Sequence, residues 1–343
     1  MIQAYLNPQG AGVLAELAFS TSDLARVRFS VSPMWEVTPS FRLLRSDSAH
    51  PVHRAWAGQV RPRWVAGRLE RGWLGELIPH TGGYVPDFLN PAPTGPAPAP
   101  AAEWEAIRAT PGARVRHDLD HLARHQGTLG PRLRALRDDP YGPLLAELTS
   151  ELETYWELAL APYWARIRAV LDADILHRAR LAAEHGTGHL LGGLHPSVSW
   201  DGNALRMAHR KQPLTRTTAG TGLLLIPSAF GGPGLRTRTT PPDPPQLAYQ
   251  ARGVGSLWEA RPAVGADTLS AVLGRSRTLL LTELEIPAST TQLAHRTGLS
   301  AAGVSQYLTA LRDAGLVSAH RAGRSVLYAR TAAAETLLRA ASA

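Results

Sequence analysis

The chain of 343 residues contains no cysteine, and its only lysine is Lys211. Without cysteine, disulfides, thiolate metal sites and cysteine nucleophiles are excluded. Long apolar runs are also missing, because the clearest one, Leu223–Ile226, is far shorter than the roughly 20 residues that span a membrane. Residues 1–12 lack the basic stretch and apolar run of a secretory signal. We therefore expect a cytoplasmic protein with no membrane partner.

Positive charge is carried almost entirely by arginine. The formal net charge is +8 and the sequence pI is near 10.4. Residues 268–343 contain eight arginines and four acidic residues, so a net charge of +4 lies in less than a quarter of the chain. This distribution favours a polyanionic partner for the C-terminal part.

Composition and periodicity divide the chain into segments. The predicted segments are an α+β segment at 1–90, a Pro/Ala-rich linker or loop at 91–101, a helical segment at 102–193, a small β-rich segment at 194–262 and a regular C-terminal domain at 267–343. The predicted fold class is α+β and mostly helical. Alternating apolar residues predict a strand over 13–19, and Ser20–Asp23 supply N-caps for a helix expected to continue past Val27.

The C-terminal segment begins with an apolar stripe that predicts one helix of about 16 residues over 269–284. Pro287 ends it, and Ser289–Thr291 cap a short second helix that ends at Thr297. Gly298 permits a tight turn, and Ser300 caps a third helix over 301–314. The expected product is a helix-turn-helix, in which the third helix presents small polar side chains to a major groove.

A basic hairpin follows the third helix. Gly315 is expected to end that helix, and residues 317–319 and 326–329 read as two strands joined by the tip 320–325. Arginines on such a tip can neutralise phosphates or enter the minor groove. Residues 331–343 are predicted to form a closing helix.

The stretch from Thr291 to Val317, TQLAHRTGLSAAGVSQYLTALRDAGLV, resembles the winged helix-turn-helix regulators of the ArsR/SmtB type. The following RAGRSVLY resembles their wing. The resemblance covers about 75 residues, and upstream residues 1–266 resemble a long N-terminal region of unknown function found on some regulators of this type. The resemblance to the ArsR/SmtB-type regulators implies a homodimer that recognises an inverted-repeat operator in double-stranded DNA and represses until an effector binds.

Seven residues are predicted to contact DNA. Five lie on the third helix or at its N-cap, and two lie on the hairpin tip. They are Ser300, Ser305, Gln306, Tyr307, Thr309, Arg321 and Arg324. Gln306 can pair with adenine through two hydrogen bonds. Tyr307 stands where the family often has histidine, and the last helix lacks the histidine ligands of the metal sensors. We expect neither a cofactor nor a metal.

Two clusters upstream allow a second interpretation. His117, His121 and His125 recur every four residues, a spacing that suits either the solvated face of a helix or a zinc or nickel site. All nine tryptophans precede residue 267. This favours core packing but also allows an aromatic cavity for a small organic effector.

Two other function classes stay open beside the regulator. One is an adaptor that uses the winged helix for protein contacts. The other is an enzyme with an appended winged helix, but no Ser-His-Asp arrangement, nucleophile elbow or P-loop ending stands out, so we expect no enzyme.

Overall fold

The computed structural model describes residues 13–46, 51–80, 83–139, 143–210, 215–217, 220–259, 266–323 and 325–341. The α-helices of these residues are α1 (Thr21–Leu24), α2 (Met34–Arg45), α3 (Arg54–Ala66), α4 (Trp73–Leu77), α5 (Pro100–Arg108), α6 (Gly112–Gln126), α7 (Pro131–Asp138), α8 (Pro143–Ala159), α9 (Trp164–His185), α10 (Thr187–Gly192), α11 (Ala266–Leu273), α12 (Arg275–Glu283), α13 (Thr290–Thr297), α14 (Ala301–Asp313) and α15 (Ala332–Ala341). The strands are β1 (Val13–Ala18), β2 (Val27–Phe29), β3 (Val198–Trp200), β4 (Ala204–Arg210), β5 (Thr215–Thr217), β6 (Leu223–Ser228), β7 (Arg236–Arg238), β8 (Gln246–Gln250), β9 (Val317–Ala322) and β10 (Ser325–Arg330). The predicted α+β, mostly helical fold class is confirmed.

The chain forms two compact units that are interleaved along the sequence. The first consists of the described parts of Met1–Ser40, Pro86–Thr110 and Leu171–Arg252. The second consists of the described parts of Phe41–Val85, Pro111–Val170 and Gly253–Ala343. Our five-segment division follows sequence order and stays a prediction.

The first unit is built on two four-stranded sheets. One has the order β3-β4-β1-β5, with β4 antiparallel to β3 and β1, and β5 parallel to β1. The other has the order β2-β6-β8-β7, with β2, β6 and β8 parallel and β7 antiparallel. The predicted hairpin around residues 201–203 is confirmed, as are strands at Leu223–Ile226 and Gln246–Gln250.

The second sheet is buried on both faces. Leu223 and Leu225 face a core that also contains Leu17 and Leu205 of the first sheet. Leu224 and Ile226 face the opposite side, where they contact Trp35. A continuous apolar run is typical of a parallel strand covered on both sides, and β6 is buried along its whole length.

The upstream part of the second unit is a set of helices that bury aromatic side chains. Trp56 of α3 is fully buried and donates a hydrogen bond to the carbonyl of Ala159 at 2.8 Å. Phe41 packs edge-on against Trp64 and Tyr155, with ring centroids 5.6 and 5.4 Å apart. Core packing of the tryptophans is confirmed for the buried ones, which across the two units are Trp35, Trp56, Trp64, Trp73, Trp104 and Trp156.

Two predicted helices end earlier than expected. The helix that starts after Ser20 ends at Leu24, because Val27–Phe29 join the second sheet as β2 beside β6. The single helix predicted over 269–284 is two helices, α11 and α12. Gly274 separates them with φ 83 and ψ 148, a conformation that favours glycine and cannot continue a helix.

No helix in the described ranges is long and apolar enough to cross a membrane.

Candidate nucleic-acid interface

The helix-turn-helix is built by α13 and α14. Ser289 begins α13 with a capping box, in which its Oγ accepts from the Gln292 N–H and the Gln292 side chain accepts from the Ser289 N–H at 2.9 Å. Gly298 ends α13 with φ 71, in the left-handed region. Ser300 then begins α14, and its Oγ accepts from the Gly303 N–H at 3.1 Å. The predicted caps and the turn glycine are confirmed.

The two faces of α14 differ in exposure. Val304, Leu308 and Leu311 are buried in a core that also contains Leu280 and Leu293. The opposite face is exposed and carries side chains that can bond to bases or phosphates. These exposed residues are Ser305, Gln306, Thr309 and Arg312. The polar face of α14 is therefore open in this structure, as a recognition helix requires.

Strands β9 and β10 form an antiparallel hairpin next to the helices. A bridge between Ala288 and Tyr328 extends the pair toward the start of α13. Arg330, at the end of β10, donates to the carbonyls of Leu281 and Thr282 at 2.6 Å each. These bonds satisfy carbonyls near the C-terminus of α12 and fix the hairpin to the helices.

The hairpin also contacts the upstream helices of the same unit. His320 of β9 pairs with Glu157 of α8 at 2.9 Å between Nδ1 and Oε2. Arg166 of α9 lies 3.7 Å from Glu285, two residues after the end of α12. These contacts leave Arg321 exposed on β9. The winged helix-turn-helix is thus held to α8 and α9 on one side while its polar recognition face stays open.

The structure places the seven predicted DNA contacts as follows. Ser305, Gln306 and Thr309 share the exposed face of α14, and Arg321 is exposed on the hairpin. Ser300 is exposed but its Oγ is engaged as the helix cap. Arg324 lies outside the described residues.

Tyr307 is placed differently from the other recognition-helix residues. Its ring is half-buried against the apolar core, and the guanidinium of Arg277 lies 5.6 Å from the ring centroid. Arg277 was not predicted as part of the site, because it lies 30 residues before Tyr307 and no local pattern links the two. The Tyr307 ring therefore holds the positive charge of Arg277 close to the recognition helix α14.

The histidine spacing on α6 places two rings on Tyr84. The rings of His121 and His125 are 4.4 Å apart, and Tyr84 lies 4.2 Å from His121. His117 is exposed. No group of three metal-ligating side chains that could hold an ion occurs in the described part of the chain.

A serine–histidine pair occurs in the first unit. His195 Nδ1 lies 2.7 Å from Ser197 Oγ, and its Nε2 lies 2.5 Å from the carbonyl of Pro233. Nε2 therefore faces a backbone carbonyl, where a catalytic triad has a carboxylate. The Ser197 N–H also donates to Nδ1 at 3.0 Å, which closes a turn between the two residues. The pair is explained by this turn.

These features define the C-terminal part of the chain as a winged helix-turn-helix domain. Residues 279–319 match the family of bacterial regulatory proteins of the arsR type, which confirms the resemblance seen in the sequence. Residues 113–255 match a family of unknown function, DUF5937. No solved structure matches the chain.

A curated protein also matches the C-terminal part. The HTH-type transcriptional regulator NmtR of Mycobacterium tuberculosis (strain ATCC 25618 / H37Rv) is 44% identical over 64 residues. The match covers 18% of this chain and 53% of that protein, so the chain spans about half the length of the curated relative.

Proposed function

We propose that the protein is a sequence-specific DNA-binding transcription regulator. The observation that carries the proposal is the exposed polar face of α14, with Ser305, Gln306 and Thr309, inside a winged helix-turn-helix. Both the arsR-type match and the likeness to a transcriptional regulator fall on this domain. The net charge of +8 supports a polyanionic partner.

The finer proposal is a cytoplasmic repressor of the ArsR type. It would bind an inverted-repeat operator as a homodimer and respond to an effector through the upstream residues. Support comes from the winged helix, because such modules read two-fold-related half-sites as dimers. The contacts of α8 and α9 with the hairpin and with the end of α12 offer a route from the upstream helices to the DNA-binding elements.

The proposal is tested by selecting bound sequences from a random pool of double-stranded DNA at physiological salt. We expect enrichment of an inverted repeat with half-sites about one helical turn apart. Weak, salt-sensitive binding without enrichment would contradict sequence recognition and favour the adaptor, in which the winged helix contacts a protein.

Two substitutions separate base recognition from phosphate contact. Gln306→Ala should reduce the preference for the selected operator over random DNA by about tenfold, because a good two-bond contact contributes ~1–3 kcal/mol of discrimination. Arg321→Ala should weaken both DNAs alike and lower the slope of log K against log salt by about one. Arg180→Ala, which removes an exposed arginine from the first unit, is the matched control and should change neither quantity. Equal losses of operator preference from Gln306→Ala and Arg321→Ala would contradict this division of roles.

A further inference from the structure

A cavity of about 800 Å³ lies within the second unit, between α3 and the first helix of the helix-turn-helix. It is open to solvent on one side, and its volume is in the range of pockets that bind small molecules. The residues that line it are Gln59, Pro62, Arg63, Ile286, Pro287, Thr291, Gln292, His295 and Arg296. Those of α3 come from the upstream helices, and the others come from the α12–α13 connection and from α13.

The lining is cationic on one side and apolar on the other. Arg63, His295 and Arg296 supply donors, and none of the lining residues is acidic. Pro62, Ile286 and Pro287 supply an apolar wall, and the Ile286 side chain is 43% exposed, a large fraction for isoleucine. The nearest carboxylate in sequence, Glu285, is paired with Arg166.

Arg63 is a half-buried cation in the wall of the cavity. Its guanidinium forms a side-chain hydrogen bond with Tyr163, and its buried Nη1 has no partner in the described part of the chain. The neighbouring Tyr163 cannot supply a negative charge, because burial raises the pKa of its phenol to about 12 and its hydroxyl donates to Gln59. No lining residue is acidic and Tyr163 stays neutral, so the positive charge of Arg63 favours an anion in this cavity.

We propose that this cavity binds a small organic carboxylate with an apolar body, and that this ligand is the effector of the regulator. The carboxylate bonds to Arg63 and Arg296, and the apolar body packs on Pro62, Ile286 and Pro287. The regulatory part of the inference rests on the proposed function. A solvated DNA phosphate is the other anion that Arg296 could meet, but it would use neither the apolar wall nor Arg63.

The position of the cavity connects ligand binding to DNA binding through α13. His295 and Arg296 lie on α13, which precedes the turn at Gly298 and supports the recognition helix. A ligand held between α3 and α13 favours one placement of α13, so it binds DNA-competent and DNA-incompetent states with different affinity. By linkage, DNA must then change the affinity for the carboxylate by the same factor.

The experiment measures carboxylate binding by calorimetry on the full chain without DNA, at 150 mM chloride. The probes are benzoate, phenylacetate and octanoate, each paired with its neutral amide. We expect at least one carboxylate to bind about tenfold more tightly than its amide, the factor that one charge-assisted hydrogen bond supplies. Arg63→Gln and Arg296→Gln should each weaken that carboxylate about tenfold. Arg54→Gln, an exposed arginine of α3 outside the cavity, is the control and should leave binding unchanged.

Each outcome decides the inference. Equal binding of carboxylates and amides, no binding of any probe, or equal affinity of Arg296→Gln and Arg54→Gln overturns it. Arg296 is exposed on α13, so its replacement tests the cavity even if Arg63→Gln fails to fold. A loss of DNA affinity in Arg296→Gln without any carboxylate binding assigns Arg296 to the DNA backbone and also overturns the inference.

A result that contradicts the proposed function can be distinguished from one that contradicts carboxylate binding in the cavity. The carboxylate measurement contains no DNA, so a chain that binds carboxylates but selects no operator contradicts only the regulator and the effector role. A second titration in the presence of the selected operator tests that role, and an unchanged carboxylate affinity there would overturn it.

Discussion

At the scale of single residues, the first unit buries two carboxyl groups near the start of α2. Glu36 is fully buried and accepts from the N–H groups of Ala229 and Phe230 and from Ser228 Oγ. Glu103 accepts from the Met34 N–H at 2.8 Å. Burial raises the pKa of each carboxyl to about 7, against the opposing effect of these hydrogen bonds. The two groups therefore make the stability of the protein depend on pH near neutrality.

We expect the free energy of unfolding to fall as the pH rises from about 4.5 to about 7. The native state binds more protons than the unfolded chain in this window, because the native pKa of Glu36 lies above its unfolded value near 4.5. The loss attributable to Glu36 is on the order of 3 kcal/mol. Urea unfolding at several pH values measures it.

Glu36→Gln isolates the contribution of this carboxyl. The variant should be less stable than the wild type at pH 5, because the amide nitrogen cannot accept from the second backbone N–H. Its stability should also fall less steeply with pH than that of the wild type. Parallel pH profiles for the two proteins would show that Glu36 keeps an ordinary pKa.

At the scale of elements, the helix-turn-helix could be predicted nearly residue by residue because its signals are local. Ser289, Gly298, Ser300 and Gly315 each fix a helix end within a few residues of sequence. The sheets of the first unit could not be predicted in topology, because Glu16 of β1 pairs with Arg206 of β4, 190 residues away. The predicted helix past Val27 was wrong for the same reason, since pairing with β6 overrides local preference.

The site was predictable only as far as it depends on local signals. The exposed face of α14 followed from its apolar period. The cavity did not, because Arg63 and Arg296 come together only through the packing of α3 beside α13. The break at Gly274 was missed since glycine can also occur inside a helix, and its positive φ is visible only in the structure.

Two glycine substitutions should change stability in opposite directions. Gly298 has φ 71 and no neighbour near an added Cβ, so Gly298→Ala should destabilise the protein by about 1 kcal/mol through backbone strain alone. Gly58 lies within α3, also with open space around it, so Gly58→Ala should stabilise by ~0.5–1 kcal/mol. Urea unfolding followed by circular dichroism measures both changes. A gain in stability from Gly298→Ala would contradict the assigned conformation of Gly298, and a loss from Gly58→Ala would contradict the open helical site of Gly58.

At the scale of the whole molecule, the winged helix-turn-helix belongs to a larger unit. That unit joins Phe41–Val85 and Pro111–Val170 to Gly253–Ala343, within the described residues. Contacts of β9 and β10 with α8 and the short helix Ala161–Tyr163 attach the hairpin to the upstream helices. The winged helix-turn-helix and the upstream helix α8 therefore share one packed unit.

We therefore predict that a fragment of residues 266–343 is less stable than the same domain in the full chain. Removing α8 deprives His320 of Glu157 and exposes the side of the hairpin that now contacts the helices. Hydrogen exchange of the amides in β9 and β10, measured by NMR on the fragment and by mass spectrometry on the full chain, should show faster opening in the fragment. Glu157→Ala in the full chain is the milder counterpart, with an expected loss of about 0.5–1 kcal/mol, because the Glu157 side chain is 46% exposed. Equal protection of the hairpin in fragment and full chain would mean that the domain is energetically independent, and an effector bound to the upstream helices alone would then have no route to the recognition helix through this hairpin.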